Sequence, residues 1–230
     1  MNALQEMNET SEFCDEASLR AQALAAVRRL DALGLNRGST GNLSVRHEDG
    51  CLITPTGMGA DDMKAQDFVR VGENGRTFEG RWHPSSEWPL HTAIYRARPE
   101  VQAVVHTHSV HATALACLER PLPPFHYMVA VAGGDDVPCV PYHLFGSPEL
   151  SEAVVDGLQA RDACLMAHHG LVTAGRSIAH AMKLAVEIES LCHTWLQMLA
   201  VQPEPPLLSA AQMAAVRERF KHYGRARRQG

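Results

Sequence analysis

The sequence lacks the features that mark a membrane-spanning or a secreted protein. No stretch approaches the roughly 18 uninterrupted apolar residues of a membrane-spanning helix. The N-terminus is acidic and polar, where a signal peptide would be basic and then apolar. The six cysteines include no C-x-x-C pair, and several lie in apolar runs, as the reduced thiols of a protein core do. We therefore expect a cytoplasmic protein without a disulfide framework.

Positive charge is also scarce. The 21 lysine and arginine residues are outnumbered by 26 aspartate and glutamate residues, which gives a formal net charge of −5. Such a chain lacks the basic field that attracts nucleic acid or an anionic membrane surface. With 230 residues and a 45% hydrophobic composition, the chain is long enough for one well-buried core. We expect a single domain that binds neither nucleic acid nor a membrane.

The spacing of apolar residues predicts alternating helices and strands. Helices are predicted at residues 17–33, 85–98, 110–118, 148–159 and 178–201, and a last helix ends near Tyr223. Strands are predicted at residues 43–46, 51–54, 102–107, 137–140, 163–167 and 171–173. This order predicts a single-domain α/β sandwich around a mixed sheet. We expect the domain to span residues 17–224, between a disordered extension at 1–16 and a basic, flexible tail at 225–230.

Histidine is unusually frequent, with 13 copies, and a His-Thr-His sequence lies at the end of a predicted strand. Because residues i and i+2 of a strand point to the same face, His106 and His108 can present two imidazoles to one metal ion. His169 follows another predicted strand and is available as a third ligand. Three histidines with an open fourth position are typical of catalytic zinc sites. By itself, however, an H-x-H pair is more often an ordinary surface or core pair.

Small polar residues supply candidate anion sites. The sequence Ser-Ser-Glu at residues 85–87 begins a predicted helix, where hydroxyls and backbone N–H groups favour a phosphate. Glu87 beside a metal and a phosphate can act as a general acid or base. The turns at 41–42 and 54–57 let a backbone approach phosphate oxygens closely. Each pattern alone is more often a plain capped helix or an ordinary turn.

Seven sequence motifs occur together in one order along the chain. They are GNLSVR, TPTGM, PSSEW, VVHTHSVH, HYMVAVAGG, PYHLFGS and HHGL. In this order they resemble the class II aldolase/adducin family, and the resemblance runs from about Leu19 to Gly224. Within the family, the segments FHYM and FKHYG are most similar to the aldolases of L-fuculose 1-phosphate. The resemblance implies the mixed α/β fold of that family.

The resemblance also implies a metal site. Family members bind zinc, one ion per subunit, through residues that match His106, His108 and His169, with Glu87 as a further ligand or as the base. Manganese, iron or cobalt can replace zinc at such a site. The family motif places the ligand directly before a glycine, which selects His169 over His168. No Schiff-base lysine is needed, and the three lysines of the chain lie in no motif.

A phosphate site, a proton donor and an aldehyde pocket follow from the same resemblance. The phosphate would be bound by residues matching Asn42, Thr56, Gly57, Ser85 and Ser86. The proton donor would be Tyr127 of a neighbouring subunit, in a homotetramer with active sites at the subunit boundaries. The aldehyde end of the substrate would be shaped by Phe145, Phe220 and Tyr223.

The function implied by the resemblance is metal-dependent cleavage of a ketose 1-phosphate. L-fuculose 1-phosphate is the leading substrate, and its products would be dihydroxyacetone phosphate and L-lactaldehyde. Alternatives within the family are ribulose-5-phosphate 4-epimerase, 3-oxo-tetronate 4-phosphate decarboxylase and methylthioribulose-1-phosphate dehydratase. An alternative of another class is a non-catalytic, adducin-like module, which would have lost the metal ligands.

Overall fold

The computed structural model describes residues 15–72, 74–75 and 77–221. The expected extension up to residue 14, the expected tail and the pocket residue Tyr223 lie outside the described residues. The domain limits at 17 and 224 therefore stay predictions, although the first helix already begins at Glu16.

Six α-helices and eight strands form the described part of the chain. The helices are α1 (Glu16–Ala32), α2 (Trp88–Ala97), α3 (Val110–Cys117), α4 (Pro148–Gly157), α5 (Ile178–Val201) and α6 (Ala210–Phe220). The strands are β1 (Asn42–His47), β2 (Gly50–Ile53), β3 (Val69–Gly72), β4 (Thr77–Glu79), β5 (Ala103–Thr107), β6 (Cys139–Val140), β7 (Ala163–Met166) and β8 (Gly170–Gly175). Two 3-10 helices, Ala65–Asp67 and Tyr127–Ala132, complete the order of elements.

The eight strands form one sheet in the order β4-β3-β2-β1-β5-β8-β7-β6. All neighbouring strands are antiparallel except β6 and β7, which are parallel, so the sheet is mixed as predicted. Side chains alternate between its two faces because the period of a strand is two residues. Val104 packs in the core beneath α2 and α4, whereas Val105 packs on the opposite face with α1 and α5. The helices thus cover both faces and make the predicted sandwich.

The predicted elements differ from the structure mainly at their ends. Helix α2 begins three residues later than predicted, since Pro84 forms a bridge with Pro55 and the backbone N–H of Ser85 donates to Thr54. The strand predicted at 137–140 shortens to β6 because Val137 pairs instead with Leu122 in an isolated bridge. Strands β3 and β4, of four and three residues, were not predicted. Among the described residues, no helix is both long and apolar enough to cross a membrane.

The pairing of β1 with β5 brings residues that are distant in sequence to the same end of the central strands. The two strands are antiparallel, and Asn42 at the start of β1 lies opposite His106 near the end of β5. The same register places β8 on the other side of β5, with Val172 opposite His106. The residues before β1, after β5 and before β8 therefore lie close together at this end of the three strands.

A single arginine fastens the end of α2 to the sheet. The guanidinium of Arg46 on β1 donates hydrogen bonds to the backbone carbonyls of Tyr95, Arg98 and Val101, at 2.8, 3.1 and 2.8 Å. It also lies over the ring of Tyr95, 4.7 Å from the ring centre. These carbonyls belong to the last turn of α2 and to its connection with β5, so Arg46 holds the helix in register with the two central strands.

Replacing this guanidinium should weaken the fold. We expect Arg46→Met to lower the free energy of unfolding by about 2 kcal/mol, because three carbonyls lose a charged donor. Urea denaturation at pH 7 measures the change. The control Arg29→Met removes an exposed arginine of α1 and should change the free energy by less than about 0.5 kcal/mol. Equal losses in the two variants would contradict the role of Arg46.

Candidate active site

Three imidazole rings lie together at one end of the neighbouring central strands β5 and β8. His106 and His108 come from the end of β5, and His169 comes from the turn between β7 and β8. The centres of the three rings lie 4.8, 4.8 and 5.1 Å apart. One nitrogen from each ring lies within 4.8 Å of the other two. The structure thus brings together the three histidines that the sequence predicts as metal ligands.

The orientation of the most buried ring is fixed by the backbone. His106 is completely buried, and its Nδ1 donates a hydrogen bond of 3.0 Å to the carbonyl of Leu171 on β8. Its Nε2 therefore carries the lone pair and faces Nε2 of His108 at 2.9 Å. Two ring nitrogens that converge in this way, with a carbonyl holding the other nitrogen of one ring, are typical of a metal site.

The turn that carries His169 needs a glycine next to it. A Cβ at Gly170 would lie 2.4 Å from the carbonyl oxygen of Thr107 and 3.3 Å from the rings of His106 and His108. Only glycine lets β8 approach the His-Thr-His segment this closely. His168 lies outside the cluster, because its ring is exposed and contacts Glu119 instead. The geometry gives a physical reason for a ligand directly before glycine.

Glu87 adds a carboxylate to the three imidazoles. It is 6% exposed and occupies the position before the first residue of α2. Its Oε2 lies 3.2 Å from Nε2 of His106, and its Oε1 lies 3.2 Å from Nε2 of His169. Asn42 donates a 2.8 Å hydrogen bond to Oε2. Within the described part of the chain, Oε1 is buried and has no hydrogen-bond partner.

This donor set fits a metal ion. A buried carboxylate oxygen without a partner is costly unless a cation neutralises it. Three imidazole nitrogens and one carboxylate oxygen suit zinc and also suit manganese, iron or cobalt. The geometry of these four side chains is therefore compatible with a bound divalent cation.

The protonation states suit metal binding as well. Burial lowers the pKa of His106 to about 3, although the carboxylate of Glu87 opposes the shift. Burial also lowers the pKa of His108 and of His169. Burial raises the pKa of Glu87, but His106, His169 and the hydrogen bond from Asn42 together outweigh burial and keep that pKa below its usual value. Neutral imidazoles and an ionised carboxylate are the forms that ligate a metal.

His108, His169 and Glu87 border a cavity of about 420 Å³. Its lining includes all five residues predicted to bind phosphate, together with Glu87, two of the histidines and Phe145. These residues are Asn42, Thr56, Gly57, Ser85, Ser86, Glu87, His108, Phe145 and His169. The third histidine, His106, lies buried behind them. The candidate ligands and the candidate phosphate residues thus share one cavity, while their individual roles stay predictions.

Two loops carry the residues predicted to bind phosphate, and both line the cavity. The backbone N–H of Thr56 donates to the carbonyl of His83, and that of Ser85 donates to the carbonyl of Thr54, at 3.0 and 2.9 Å. These bonds hold the Thr-Pro-Thr-Gly turn against the start of α2. The turn itself uses a positive φ of 68° at Gly57, which favours glycine. Hydroxyl groups from both loops consequently line the same cavity.

Two of the predicted aromatic residues lie elsewhere in the single chain. Tyr127 and Phe220 line a separate cavity of about 540 Å³, with ring centres 6.3 Å apart. Tyr127 is 48% exposed. Neither residue lines the cavity that contains the histidines, whereas Phe145 does, with 61% of its surface exposed.

Sequence reasoning missed several residues of this region. Tyr142 and His143 line the cavity, whereas Phe145 is the one residue of their motif predicted for the site. His91, which belongs to none of the motifs, lies one helical turn after Glu87 and is completely buried. A histidine four residues after a catalytic candidate, on the apolar face of the same helix, was the available signal.

The comparisons with known proteins agree with the family resemblance and with the fold. The family model described as "Class II Aldolase and Adducin N-terminal domain" matches residues 21–196. The L-fuculose phosphate aldolase of Haemophilus influenzae is 46% identical over 210 residues, which cover 91% of this chain and 97% of that protein. The 5-methylthioribulose-1-phosphate/5-deoxyribulose-1-phosphate aldolase of Rhodospirillum rubrum is 47% identical over 207 residues, 90% of this chain and 93% of that protein.

A solved structure gives the same result for the fold. A structure titled L-fuculose 1-phosphate aldolase superposes with a TM-score of 0.84 and 33% sequence identity, and the match covers 88% of this chain and 95% of that one. The family resemblance expected from the motifs is confirmed. The chain therefore belongs to the class II aldolase and adducin family, and it is an aldolase, a carbon–carbon lyase.

Proposed function

We propose that this aldolase binds one zinc ion per subunit and cleaves a ketose 1-phosphate, with L-fuculose 1-phosphate as the first candidate substrate. The supporting observation is that two histidines of the three-histidine cluster, the carboxylate of Glu87 and two hydroxyl-bearing loops border a single cavity, with the third histidine buried directly behind them. A ketose 1-phosphate carries its phosphate one carbon from its ketone. One cavity of this kind can bind both groups at once.

The reaction is a reversible aldol cleavage between C3 and C4 of the ketose. In cleavage, the C4 hydroxyl loses its proton, the C3–C4 bond breaks, and its electron pair stays on the C3 fragment. That fragment becomes dihydroxyacetone phosphate after it gains a proton at C3, and the C4 fragment becomes an aldehyde. A zinc ion held by His106, His108 and His169 would supply positive charge opposite the electron-rich oxygens of the C3 fragment.

Glu87 is proposed to move the proton at C3. Its carboxylate is ionised at neutral pH, so in the direction of condensation it can accept a proton from dihydroxyacetone phosphate. Its Oε1 has no hydrogen-bond partner among the described residues, and we propose that this oxygen serves in turn as a ligand of the ion and as the acceptor of the proton. In cleavage, the same group returns the proton to C3.

The phosphate is proposed to bind at the start of α2 and at the neighbouring turn. Ser85, Ser86 and Thr56 offer hydroxyl donors, and Gly57 leaves the backbone accessible. The N-terminal end of a helix carries partial positive charge, which favours a phosphate. These contacts would be equal in the ground and transition states, so they would hold the substrate more than they would accelerate the chemistry.

A second candidate substrate group is supported by the relative from Rhodospirillum rubrum. That protein is named for 5-methylthioribulose 1-phosphate and 5-deoxyribulose 1-phosphate, and it is 47% identical to this chain. These ketose phosphates share the dihydroxyacetone phosphate half with L-fuculose 1-phosphate and differ only in the aldehyde half. At the cavity rim, Tyr142 and Phe145 are 57% and 61% exposed in the chain. Apolar surfaces of this kind discriminate weakly between small aldehydes.

A substrate panel tests the proposal. We expect the zinc-loaded protein to release dihydroxyacetone phosphate from L-fuculose 1-phosphate, 5-deoxyribulose 1-phosphate or 5-methylthioribulose 1-phosphate, as followed by coupled reduction with glycerol-3-phosphate dehydrogenase. Chelation should abolish the release, and added zinc should restore it, with about one ion per chain by elemental analysis. Ribulose 5-phosphate and 3-oxo-tetronate 4-phosphate serve as controls. Activity on a control alone, or activity that survives exhaustive chelation, would contradict the proposal.

Replacing the proposed base should separate catalysis from binding. We expect Glu87→Gln to lower kcat by roughly 10²- to 10⁴-fold, because an amide cannot carry the proton. The matched variant Ser86→Ala should act mainly on KM, because it removes a phosphate contact shared by the ground and transition states. Steady-state kinetics on the best substrate of the panel measures both effects. A wild-type kcat in Glu87→Gln would remove this residue from the mechanism.

Tyr127 is proposed to act in the site of a neighbouring subunit of a homotetramer. In the single chain, this half-exposed tyrosine does not line the cavity of the histidines. A neighbouring copy is therefore needed to bring its hydroxyl to the C4 oxygen, where it would donate or accept the proton of the alcohol. In a closed ring, each interface joins one donor and one acceptor surface.

Mixed assemblies test the shared site. Tyr127→Phe chains keep the metal centre and Glu87→Gln chains keep the tyrosine, so neither should turn over well alone. In randomly mixed tetramers, about one site in four joins the two intact halves, so activity should reach up to roughly a quarter of the wild-type value. Mass spectrometry verifies the mixing. Activity no higher than the average of the two single variants would place Tyr127 in its own chain or outside catalysis.

A further inference from the structure

A row of buried polar side chains runs from Glu87 into the core of the sheet. Asn42 lies 2.8 Å from Oε2 of Glu87 through its Nδ2, and 2.5 Å from Nε2 of His91 through its Oδ1. Nδ1 of His91 lies 2.7 Å from the hydroxyl of Ser44, which lies 2.8 Å from the hydroxyl of Tyr95. All five side chains belong to residues that are at most 6% exposed.

The hydrogen bonds of this row can run in only one direction. An ionised carboxylate only accepts, so Asn42 presents its amide N–H to Glu87 and its Oδ1 to His91. That oxygen requires a donor, which places the proton of a neutral His91 on Nε2 and leaves Nδ1 as an acceptor. Ser44 then donates its single proton to Nδ1 and accepts from Tyr95. Burial raises the pKa of Tyr95 well above its ordinary value, so its phenol keeps the proton that it donates.

This row of polar side chains lies in an apolar part of the core, where polar groups are unusual. The cross-strand neighbours of Ser44 are Ile53 and Val104, which belong to the apolar core together with the ring of Tyr95. Polar groups in such a core are costly unless every one of them is paired. Apolar side chains of similar size would fill these positions without that cost. The row therefore has a purpose at the end that borders the cavity, and that end is Glu87.

We propose that His91 is a positioning residue of the aldolase: through the amide of Asn42 it fixes the carboxylate of Glu87, with Oε2 hydrogen-bonded and Oε1 directed toward His169. The inference rests on the proposed function, because that function gives Glu87 its proton-transfer role. His91 is completely buried and does not line the cavity, so it acts only through Asn42. Without the Nε2–H of His91, the amide can turn and place an oxygen against the carboxylate, where two acceptors repel.

The tautomer of His91 gives a test that does not depend on activity. In the zinc-loaded protein with ¹⁵N-labelled histidine, we expect the His91 ring to carry its proton on Nε2 and to keep Nδ1 unprotonated from pH 6 to pH 9. Comparison with the spectrum of His91→Gln assigns the signals. A ring protonated on Nδ1 would reverse the direction of the row and overturn the proposal.

Kinetics gives the second test, on the best substrate of the panel. His91→Phe keeps the ring volume and removes both hydrogen bonds, so we expect kcat to fall by roughly 10- to 100-fold, in the range that a displaced catalytic group costs. KM should change by less than about threefold and the zinc content should stay at about one per chain. His91→Gln restores an N–H donor toward Asn42 and should recover most of kcat. If His91→Phe does not fold, Ser44→Ala gives the same pattern with a smaller loss.

A matched control separates positioning from stability. Thr173 on β8 is also completely buried, and its hydroxyl donates a 2.9 Å hydrogen bond to the carbonyl of Ala181, away from the row. Thr173→Val should cost stability with little change in kcat. The proposal is overturned if His91→Phe and Thr173→Val have the same thermal stability and His91→Phe lowers kcat no more than Thr173→Val does. It is also overturned if the kcat of His91→Gln is no higher than the kcat of His91→Phe.

The outcomes also separate this inference from the proposed function. If the wild-type protein releases no dihydroxyacetone phosphate from any ketose 1-phosphate, the proposed function fails, and the tautomer measurement still decides whether the row exists. If the wild-type protein is active and the His91 variants behave as the control does, the inference alone fails. In an active protein, Asn42→Ala combined with His91→Phe should be no slower than Asn42→Ala, because His91 acts through that amide.

Discussion

The burial of one ionised carboxylate is the constraint on which the rest of the site depends. Glu87 is 6% exposed, and a charge in that position is costly unless its neighbours compensate for lost water. One of its oxygens receives a hydrogen bond from Asn42, and both lie close to imidazole nitrogens. A cation bound by the three histidines would complete the compensation. The negative charge of the carboxylate and the positive charge of a bound cation would thus compensate each other, which is a physical reason for their candidate ligands to lie side by side.

The sheet supplies the positions that this arrangement needs. Antiparallel pairing sets Asn42 of β1 opposite His106 of β5, and β8 approaches from the other side. The close approach at Gly170 then brings His169 against the two histidines of β5. Helix α2 is held over β1 by Arg46, so that Glu87 at its start lies above the same strand edge. Each part of the site therefore comes from a rigid element or from its end.

Local sequence patterns were enough to predict the histidine pair and the main elements. A period of two placed His106 and His108 on one face, and the helical periodicity located the first five α-helices to within three residues at each end. The choice of His169 over His168 needed the family motif, because both histidines follow the same strand. Strands β3 and β4 escaped prediction because three or four residues carry little periodic signal. The specificity for one ketose phosphate also stays outside the reach of sequence patterns, since relatives with different named substrates share similar identity.

Contacts between distant residues could not be read from the sequence. The two partners of the Asn42 side chain lie 45 and 49 residues along the chain, and no local pattern links them. The sequence named Asn42 only as a phosphate residue, whereas the structure shows its amide between a carboxylate and a buried histidine. Tyr127 is the reverse case: the family motif names it as a site residue, but in the single chain it does not line the cavity.

The exposed rim of the cavity has a consequence for how such an enzyme can diversify. Tyr142 and Phe145 expose more than half of their surface, whereas the histidines and Glu87 are packed into the sheet. Exchanging a rim residue would leave the stability of the fold almost untouched. The molecule is thus divided into a packed interior that carries the candidate chemistry and an exposed entrance that can change. Altered selectivity is best sought by randomising the entrance alone.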